Sequence, residues 1–479
     1  MSLVGQWKTC FPRSIFSRTE YSLRASVAMR YLASMRTGER NHRLEASDYE
    51  RGSVPTSERK SWISIAVVWV AIGIDLSGAF LGVELAAGLD FGAAIFATVL
   101  GSLLLGLLAM ACAYVGAATG LTTAMLSRAV FGKVGGSILT LAMSINLVGW
   151  FAVQASFFGS NAQVATLELT GANLPTTLFT ITGGVLMVVT ALWGYRSISR
   201  LSTFAVPLLL VLLLTGVVAA FATRGSDALM SEASTSYTFG GAVSLVMGVF
   251  ILGVVSAPDM ARWAKTPKQA MAAGFTGFLI GNSITIIVSV ILSKLLNETE
   301  LMAMFFALGL GGFAMIVLIL AQWTTNTTNV YSAAISFSAI SQRFSRKTLT
   351  LMAGAIGIVI AVWGAADWFI SFISAISIVI GPFGGVYIAN YFANRSHPRF
   401  RQGSELPRIS PMPVIAWVLG IIVALMTTQA SDGLGFGIFT LTSIPALDGL
   451  LVGFIASLVF EAVAKQHQNQ ATSSPKVEA

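Results

Sequence analysis

Long apolar segments separated by short polar ones run through most of the 479-residue chain. Each segment reaches the length of about 20 apolar residues that a helix needs to cross a bilayer, whereas buried strands are much shorter. The pattern therefore predicts an all-α integral membrane protein with twelve spans. We place these spans at 62–87, 92–118, 137–166, 175–195, 201–223, 239–257, 269–293, 304–336, 348–366, 369–393, 411–429 and 438–463.

The basic residues are distributed asymmetrically between the loops. All but two of the 29 Lys and Arg residues lie in the terminal segments or in loops that follow even-numbered spans, the exceptions being Arg224 and Lys294. Because Lys and Arg collect on the cytoplasmic side of short loops, we expect both termini in the cytoplasm and the spans in the plasma (cell inner) membrane. The net charge of +8 is thus explained by orientation in a lipid bilayer, and no nucleic-acid partner is expected.

Composition divides the chain into three parts. Residues 1–60 are rich in Arg and Ser, and we expect a basic, disordered cytoplasmic tail whose true start codon the sequence leaves open. Residues 61–463 hold the spans, and residues 464–479 form a second cytoplasmic tail. Hydrophobic residues make up 55% of the chain and charged ones 10%, a balance typical of a polytopic membrane protein.

Spans one and six carry interruptions at matching positions. In span one, "AIGIDLSGAF" sets Asp75 between Gly73 and Gly78, and span six reads "VFILGVVSAPDMARW" around Gly253 and Pro258. Broken segments at corresponding positions of two halves predict an inverted-repeat transporter with its site at the breaks. The alternative is that these glycines serve only for close helix packing.

Four ordered segments resemble the cytosine permease branch of the nucleobase:cation symporter-1 family. They are "GLTTAMLSRAVFG" (120–132), "VGWF" (148–151), "WTTNTTNVYSA" (323–333) and "GPFGGVYIANYFANR" (381–395). The likeness extends from about Val54 to Val463. It implies a leucine-transporter-like fold of two inverted five-helix repeats (62–223 and 239–393) plus two further helices (411–463).

The resemblance also implies a substrate site and a cation site. A planar nucleobase would lie between Trp150 of span three and Phe250 of span six, a geometry that ring stacking favours. Gln154 lies one helical turn past Trp150 on the same face, and we assign it and Gly253 to the substrate site. The possible sodium ligands are the backbone carbonyls of Ala71, Ile74 and Ala321 and the hydroxyls of Thr324 and Thr325.

Four positions depart from the cytosine permease pattern. Leu147, Val249 and Ala321 stand where those permeases carry glutamine, serine and asparagine, and Asp75 replaces an apolar or aromatic residue. Because each lost hydrogen bond to a buried ligand costs about 1–3 kcal/mol, the substrate class carries over better than cytosine itself.

Asp75 has three candidate roles. It could accept hydrogen bonds from substrate N–H groups, couple transport to a proton, or cap the second half of span one.

In span eight, Gln322 and Asn326 form an i, i+4 pair. Interhelical hydrogen bonding is the commoner role for such residues.

Other function classes lack the residues they need. The three histidines lie outside the spans, and no paired catalytic aspartates, zinc-binding H-E-x-x-H or nucleotide-binding loop occurs, so we expect no enzyme and no cofactor. We therefore predict cation symport of a nucleobase-like solute, coupled to Na⁺ or H⁺. The alternatives are proton-coupled transport of another small solute through Asp75, and a receptor or sensor without flux; the oligomeric state is not predicted.

Overall fold

A computed structural model describes residues 54–473, apart from 55, 194, 231–236, 341–342 and 402–403. Most of the predicted N-terminal tail, and residues 474–479 of the C-terminal one, lie outside the described residues. Within the described part the chain is helical, and the β-type pairing found there is a single isolated bridge between Lys60 and Ala264. The all-α prediction is therefore confirmed.

Fifteen helices follow one another in the described part of the chain. They are α1 (Trp62–Gly73), α2 (Leu76–Gly88), α3 (Phe91–Thr119), α4 (Thr123–Thr170), α5 (Thr176–Trp193), α6 (Tyr195–Arg224), α7 (Phe239–Val255), α8 (Pro258–Ala261), α9 (Pro267–Leu296), α10 (Leu301–Ala307), α11 (Gly311–Ile340), α12 (Arg346–Val362), α13 (Phe369–Asn394), α14 (Pro411–Thr427) and α15 (Pro445–Ser473). Short 3₁₀ turns occupy Thr56–Glu58, Asp227–Met230, Ala365–Trp368, Pro398–Phe400 and Ala430–Asp432.

Length and apolar composition identify the helices that can cross a bilayer. Among the described residues, seven helices are long and apolar enough, or eight if the bent pair α1–α2 is counted as one span. Helices α7 and α14 are apolar but shorter. Helix α11 has 30 residues, but its centre contains the polar run from Gln322 to Asn329. The chain is thus a multi-span membrane protein.

Span one is broken where the sequence predicts. Helix α1 ends at Gly73, α2 begins at Leu76, and their axes differ by 53°. Ile74 closes α1 by donating its backbone N–H to Val70 O at 3.0 Å. Asp75 has extended φ/ψ values and its side chain accepts from Gly78 N at 3.1 Å, which makes it the N-cap of α2. The break is therefore built from local hydrogen bonds.

Helix α9 supports the break from the side. The Thr285 hydroxyl donates to Gly73 O at 3.0 Å, so a carbonyl released at the end of α1 gains a partner. A Cβ atom on Gly73 would lie 2.7 Å from the backbone of Gly281, and one on Gly82 would lie 2.7 Å from the Ser289 Cβ. Small residues on both sides thus let the backbones meet at the bend.

Span six is interrupted within the predicted region around Gly253 and Pro258. Gly253 itself lies inside α7, which runs unbroken to Val255, so the break comes after it. The helix stops at Ser256, and α8 begins at Pro258, near one end of the segment. Proline has no N–H to donate to Val254 O, which interrupts the helical hydrogen-bond ladder at this point.

Three other predicted boundaries also shift. Helix α4 extends from Thr123 to Thr170, with a kink at Gly132 (φ +85°). Predicted span eight (304–336) is divided at Gly309 (φ +72°), which separates α10 from α11. Helix α15 starts at Pro445 and continues to Ser473, so the first ten residues of the predicted C-terminal tail are helical.

The segment between α14 and α15 contacts the start of α7. Asp432, only 2% exposed, accepts hydrogen bonds from the backbone N–H and the hydroxyl of Thr238. Thr238 is the N-cap of α7 and accepts from Gly241 N. The segment between α14 and α15 therefore helps fix one end of span six.

The contact between Gly73 and Gly281 gives a stability prediction. Gly73→Ala should destabilise the protein by about 1–3 kcal/mol, because the new methyl group meets backbone atoms that have little room to move. Gly92→Ala is the matched control, since nothing lies within 4 Å of its added Cβ, and it should stabilise α3 by up to about 1 kcal/mol. Thermal unfolding of both variants in detergent measures the difference. Equal unfolding temperatures for the two variants would refute close backbone packing at the break.

Candidate functional site

The break in span one brings a carboxylate into the transmembrane region. Asp75 is half-buried, while its neighbours Ile74 and Leu76 are buried. One carboxylate oxygen accepts from Gly78 N, and the backbone N–H and hydroxyl of Ser77 also interact with the carboxylate. A carboxylate can accept about four hydrogen bonds, so capping α2 leaves some of its capacity available to a ligand.

Ser77 connects Asp75 to span three. Its hydroxyl oxygen accepts a hydrogen bond from Gln154 Nε2 at 3.0 Å, and both side chains are almost fully buried, at 2% and 3% exposure. Gln154 Oε1 has no hydrogen-bond partner among the described residues. A buried amide oxygen without a partner costs about 1–3 kcal/mol, which is typical of a group that meets a ligand or ordered water.

Trp150 lies one turn before Gln154 on α4, and its ring contacts α13. The ring makes edge contacts with Phe372, at a centroid distance of 5.2 Å, and with Phe369, at 6.4 Å. Trp150 and Phe250 are 7% and 8% exposed and belong to the same buried hydrophobic cluster. Gly253 is one turn further along α7, and a Cβ there would meet only the Phe278 ring, at 3.7 Å.

An aromatic stack lies on the α2 side of the break. The rings of Phe80 and Phe157 are parallel at a centroid distance of 3.6 Å, and Phe157 makes an edge contact with Phe369 at 5.4 Å. The contacts of Phe369 with Trp150 extend this stack to the predicted substrate tryptophan. Helices α2, α4 and α13 are thus connected by aromatic rings on one side of Asp75.

The five predicted cation positions come from two regions that share a hydrophobic cluster. Because α1 ends at Gly73, the carbonyl of Ala71 has no following helical N–H to bind. Ile74 at the break and Ala321 on α11 pack in the same cluster. The Thr324 hydroxyl donates to Ala321 O at 2.9 Å, which leaves its oxygen lone pairs available, and Thr325 is half-buried. The candidate cation ligands are thus all oxygen atoms, which hard cations prefer.

The two amides of span eight behave differently. Asn326 donates from Nδ2 to Phe151 O at 3.1 Å, so its predicted interhelical hydrogen bond is confirmed. Gln322 is 1% exposed, and neither atom of its amide has a hydrogen-bond partner among the described residues.

Sequence reasoning overlooked two residues that shape the site. Ser77 joins Asp75 to Gln154, and Thr285 binds the carbonyl released at Gly73. Ser77 follows Asp75 by two residues, a local signal that could have been used. Thr285 is more than 200 positions away from Gly73, and only the packing of α9 on α1 brings the two together.

Comparisons with known sequences give a consistent result. Residues 53–447 match the family described as "Permease for cytosine/purines, uracil, thiamine, allantoin". The chain is 31% identical to the cytosine permease of Escherichia coli K12 over 377 residues, covering 78% of this chain and 88% of that permease. It is 25% identical to the hydantoin permease of Microbacterium maritypicum over 361 residues, which is 69% of this chain and 73% of that permease.

Solved structures share the fold. The inward-facing conformation of Mhp1 superposes with a TM-score of 0.74 at 19% identity, covering 86% of this chain and 93% of that one. MhsT in complex with L-phenylalanine gives a TM-score of 0.54 at 12% identity, over 85% of this chain and 99% of that one. A Na⁺-coupled sialic acid symporter gives 0.57 at 13% identity, over 87% and 92% of the two chains.

The bond between Ser77 and Gln154 gives a prediction for the site. Ser77→Ala should destabilise the protein by about 1–3 kcal/mol, because it leaves the buried Nε2 group of Gln154 without a partner. Thr276→Ala is the control, since Thr276 is half-buried and its hydroxyl bonds only backbone carbonyls of its own helix. Thermal unfolding in detergent compares the two variants. An unchanged unfolding temperature for Ser77→Ala would mean that this hydrogen bond contributes nothing to the folded site.

Proposed function

Since the chain belongs to the family of permeases for cytosine/purines, uracil, thiamine and allantoin, and is a transporter rather than an enzyme, we propose that it imports a nucleobase or a related planar nitrogen heterocycle by cation symport. The observation that carries this proposal is the broken span one, with Asp75 at the break and Gln154 joined to it through Ser77. A polar site at a discontinuous membrane helix is the arrangement that secondary transporters use for binding solutes.

The binding mode follows from the positions of the aromatic rings. A planar heterocycle would stack between Trp150 and Phe250, beside Gly253, and present its polar edge to Asp75 and Gln154. Both side chains are buried, at 7% and 8% exposure, in one large hydrophobic cluster, as this arrangement requires. Ring stacking adds about 0.5–1.5 kcal/mol to the free energy from buried area and tolerates different bases.

We further propose the complete span topology. Twelve spans would form two inverted five-helix repeats, 62–223 and 239–393, followed by two helices in 411–463. The protein would lie in the plasma membrane, with both termini in the cytoplasm. The concentration of Lys and Arg in the terminal segments and in the loops after even-numbered spans supports this topology, as does the fold shared with MhsT and the sialic acid symporter.

Sodium is the coupling ion that the oxygen donors favour. The carbonyls of Ala71, Ile74 and Ala321 and the hydroxyls of Thr324 and Thr325 would hold it between α1 and α11. Binding there would link the end of α1 to α11, so ion occupancy would favour the conformation that binds substrate.

Two alternatives make different predictions. Proton coupling through Asp75 would make accumulation depend on pH and not on sodium, and would extend to solutes other than nucleobases. A receptor or sensor would bind its ligand saturably without moving it across the membrane.

Uptake into proteoliposomes tests the proposed function. We expect labelled cytosine or a competing purine, pyrimidine, hydantoin or ureide to accumulate in response to an inward sodium gradient, because the cation and heterocycle sites meet at one break. Trp150→Ala should raise the half-saturation concentration several-fold, since one stacking face is lost. Trp193→Ala, which alters a 75% exposed ring on α5, is the control and should behave as wild type. Failure of every heterocycle to bind or accumulate would contradict the proposal, and binding without flux would favour the sensor.

Asp75→Asn separates the roles of the carboxylate. Asparagine caps a helix about as well as aspartate, so the variant should fold normally. If Asp75 contacts substrate, we expect weaker uptake with an unchanged pH profile; if it couples to protons, accumulation should lose its pH dependence. Sodium-driven uptake measured across a range of pH distinguishes these results. Uptake equal to wild type at every pH would leave only the capping role.

A further inference from the structure

The polar groups at the break present hydrogen-bond acceptors to the candidate site. Asp75 offers the lone pairs of its carboxylate that are left after Gly78 and Ser77 are bound. Gln154 offers Oε1, which lies in a side chain only 3% exposed and has no partner among the described residues.

The orientation of the Gln154 amide follows from its neighbours. The Ser77 hydroxyl has a single proton, and the adjacent Asp75 carboxylate can only accept one. When that proton is directed to the carboxylate, the Ser77 oxygen can only accept a hydrogen bond from Gln154. Gln154 must then present the donor atom of its amide, Nε2, which lies 3.0 Å from the Ser77 oxygen. The amide oxygen therefore points away from Ser77, and the hydrogen-bond network determines this orientation.

The two acceptors are close to each other and to an aromatic face. Gln154 donates to the Ser77 hydroxyl at 3.0 Å and Ser77 interacts with the Asp75 carboxylate, which keeps the accepting atoms of Asp75 and Gln154 within roughly 8 Å of one another. Trp150 lies one turn before Gln154 on the same face of α4. A flat ring stacked on Trp150 would thus present one edge to two acceptors.

We propose that the site selects heterocycles whose edge carries two adjacent N–H donors, as in a cyclic guanidine. Guanine has this edge at N1–H and its 2-amino group, and isocytosine has it at a ring N–H and its 2-amino group. Cytosine and hypoxanthine lack the pair: cytosine sets a bare ring nitrogen beside its amino group, and hypoxanthine has no amino group. A ring nitrogen facing Gln154 Oε1 or Asp75 would bring two acceptors together and leave both unpaired. This inference rests on the proposed function, that the site binds a planar nitrogen heterocycle.

Isocytosine and cytosine provide a matched pair of probes, because they are isomers of the same size. Isothermal titration calorimetry on the purified full-length protein in detergent, with sodium present, measures both affinities, and guanine and hypoxanthine provide a second pair. We expect isocytosine to bind at least about tenfold more tightly than cytosine. Guanine should bind more tightly than hypoxanthine by a similar factor.

Asp75→Asn tests whether the carboxylate sets this preference. The substitution keeps the helix cap but replaces one acceptor with an amide donor. We expect the preference for isocytosine to fall below about threefold or to reverse, because the amide can now pair with the ring nitrogen of cytosine. Asp90→Asn is the matched control: Asp90 precedes α3, is exposed and makes no side-chain cap bond. It should retain the full wild-type preference.

The outcomes separate this inference from the proposed function. If several heterocycles bind but isocytosine and cytosine bind equally, or if Asp75→Asn keeps the wild-type preference, the inference is overturned and the proposed function stands. If no purine, pyrimidine, hydantoin or ureide binds at all, both are overturned.

Discussion

The structure depends on one constraint: a membrane helix that is interrupted must still satisfy its backbone hydrogen bonds. In hydrocarbon, an unpaired N–H or C=O group costs several kcal/mol. Span one meets this constraint with Asp75 capping α2, Ile74 closing α1, and Thr285 binding the carbonyl of Gly73. Asp75, one of the polar groups that make the break possible, keeps accepting capacity beyond its helix cap.

The same constraint explains the surroundings of the break. Glycines on α1 and α2 allow α9 to approach closely enough for Thr285 to reach the Gly73 carbonyl. Ser77 satisfies one end of Gln154 and leaves the amide oxygen unpaired. The aromatic rings of Trp150, Phe157 and Phe369 contact one another on the helices that carry these polar residues or pack beside them, and apolar rings beside a few polar groups suit a flat heterocycle.

Part of this arrangement could be predicted from the sequence, because its signals are local. The glycines beside Asp75 predicted the break in span one, and long apolar runs predicted the helices. The break in span six lies between the predicted residues Gly253 and Pro258: Gly253 continues a buried helix, and the helix stops just before Pro258. The bonds from Gln154 to Ser77 and from Thr285 to Gly73 could not be predicted, since they join helices that are distant in sequence. The roles assigned to Asp75, Trp150, Phe250 and the cation oxygens remain predictions.

Binding of a planar solute at the break in span one is best tested by an experimental structure of the protein with sodium and a bound heterocycle. We expect a ring stacked on Trp150, with a polar edge within hydrogen-bond distance of Asp75 and Gln154, and with α1 and α2 still separate helices. A continuous span one, or a ligand bound away from Asp75 and Trp150, would contradict it.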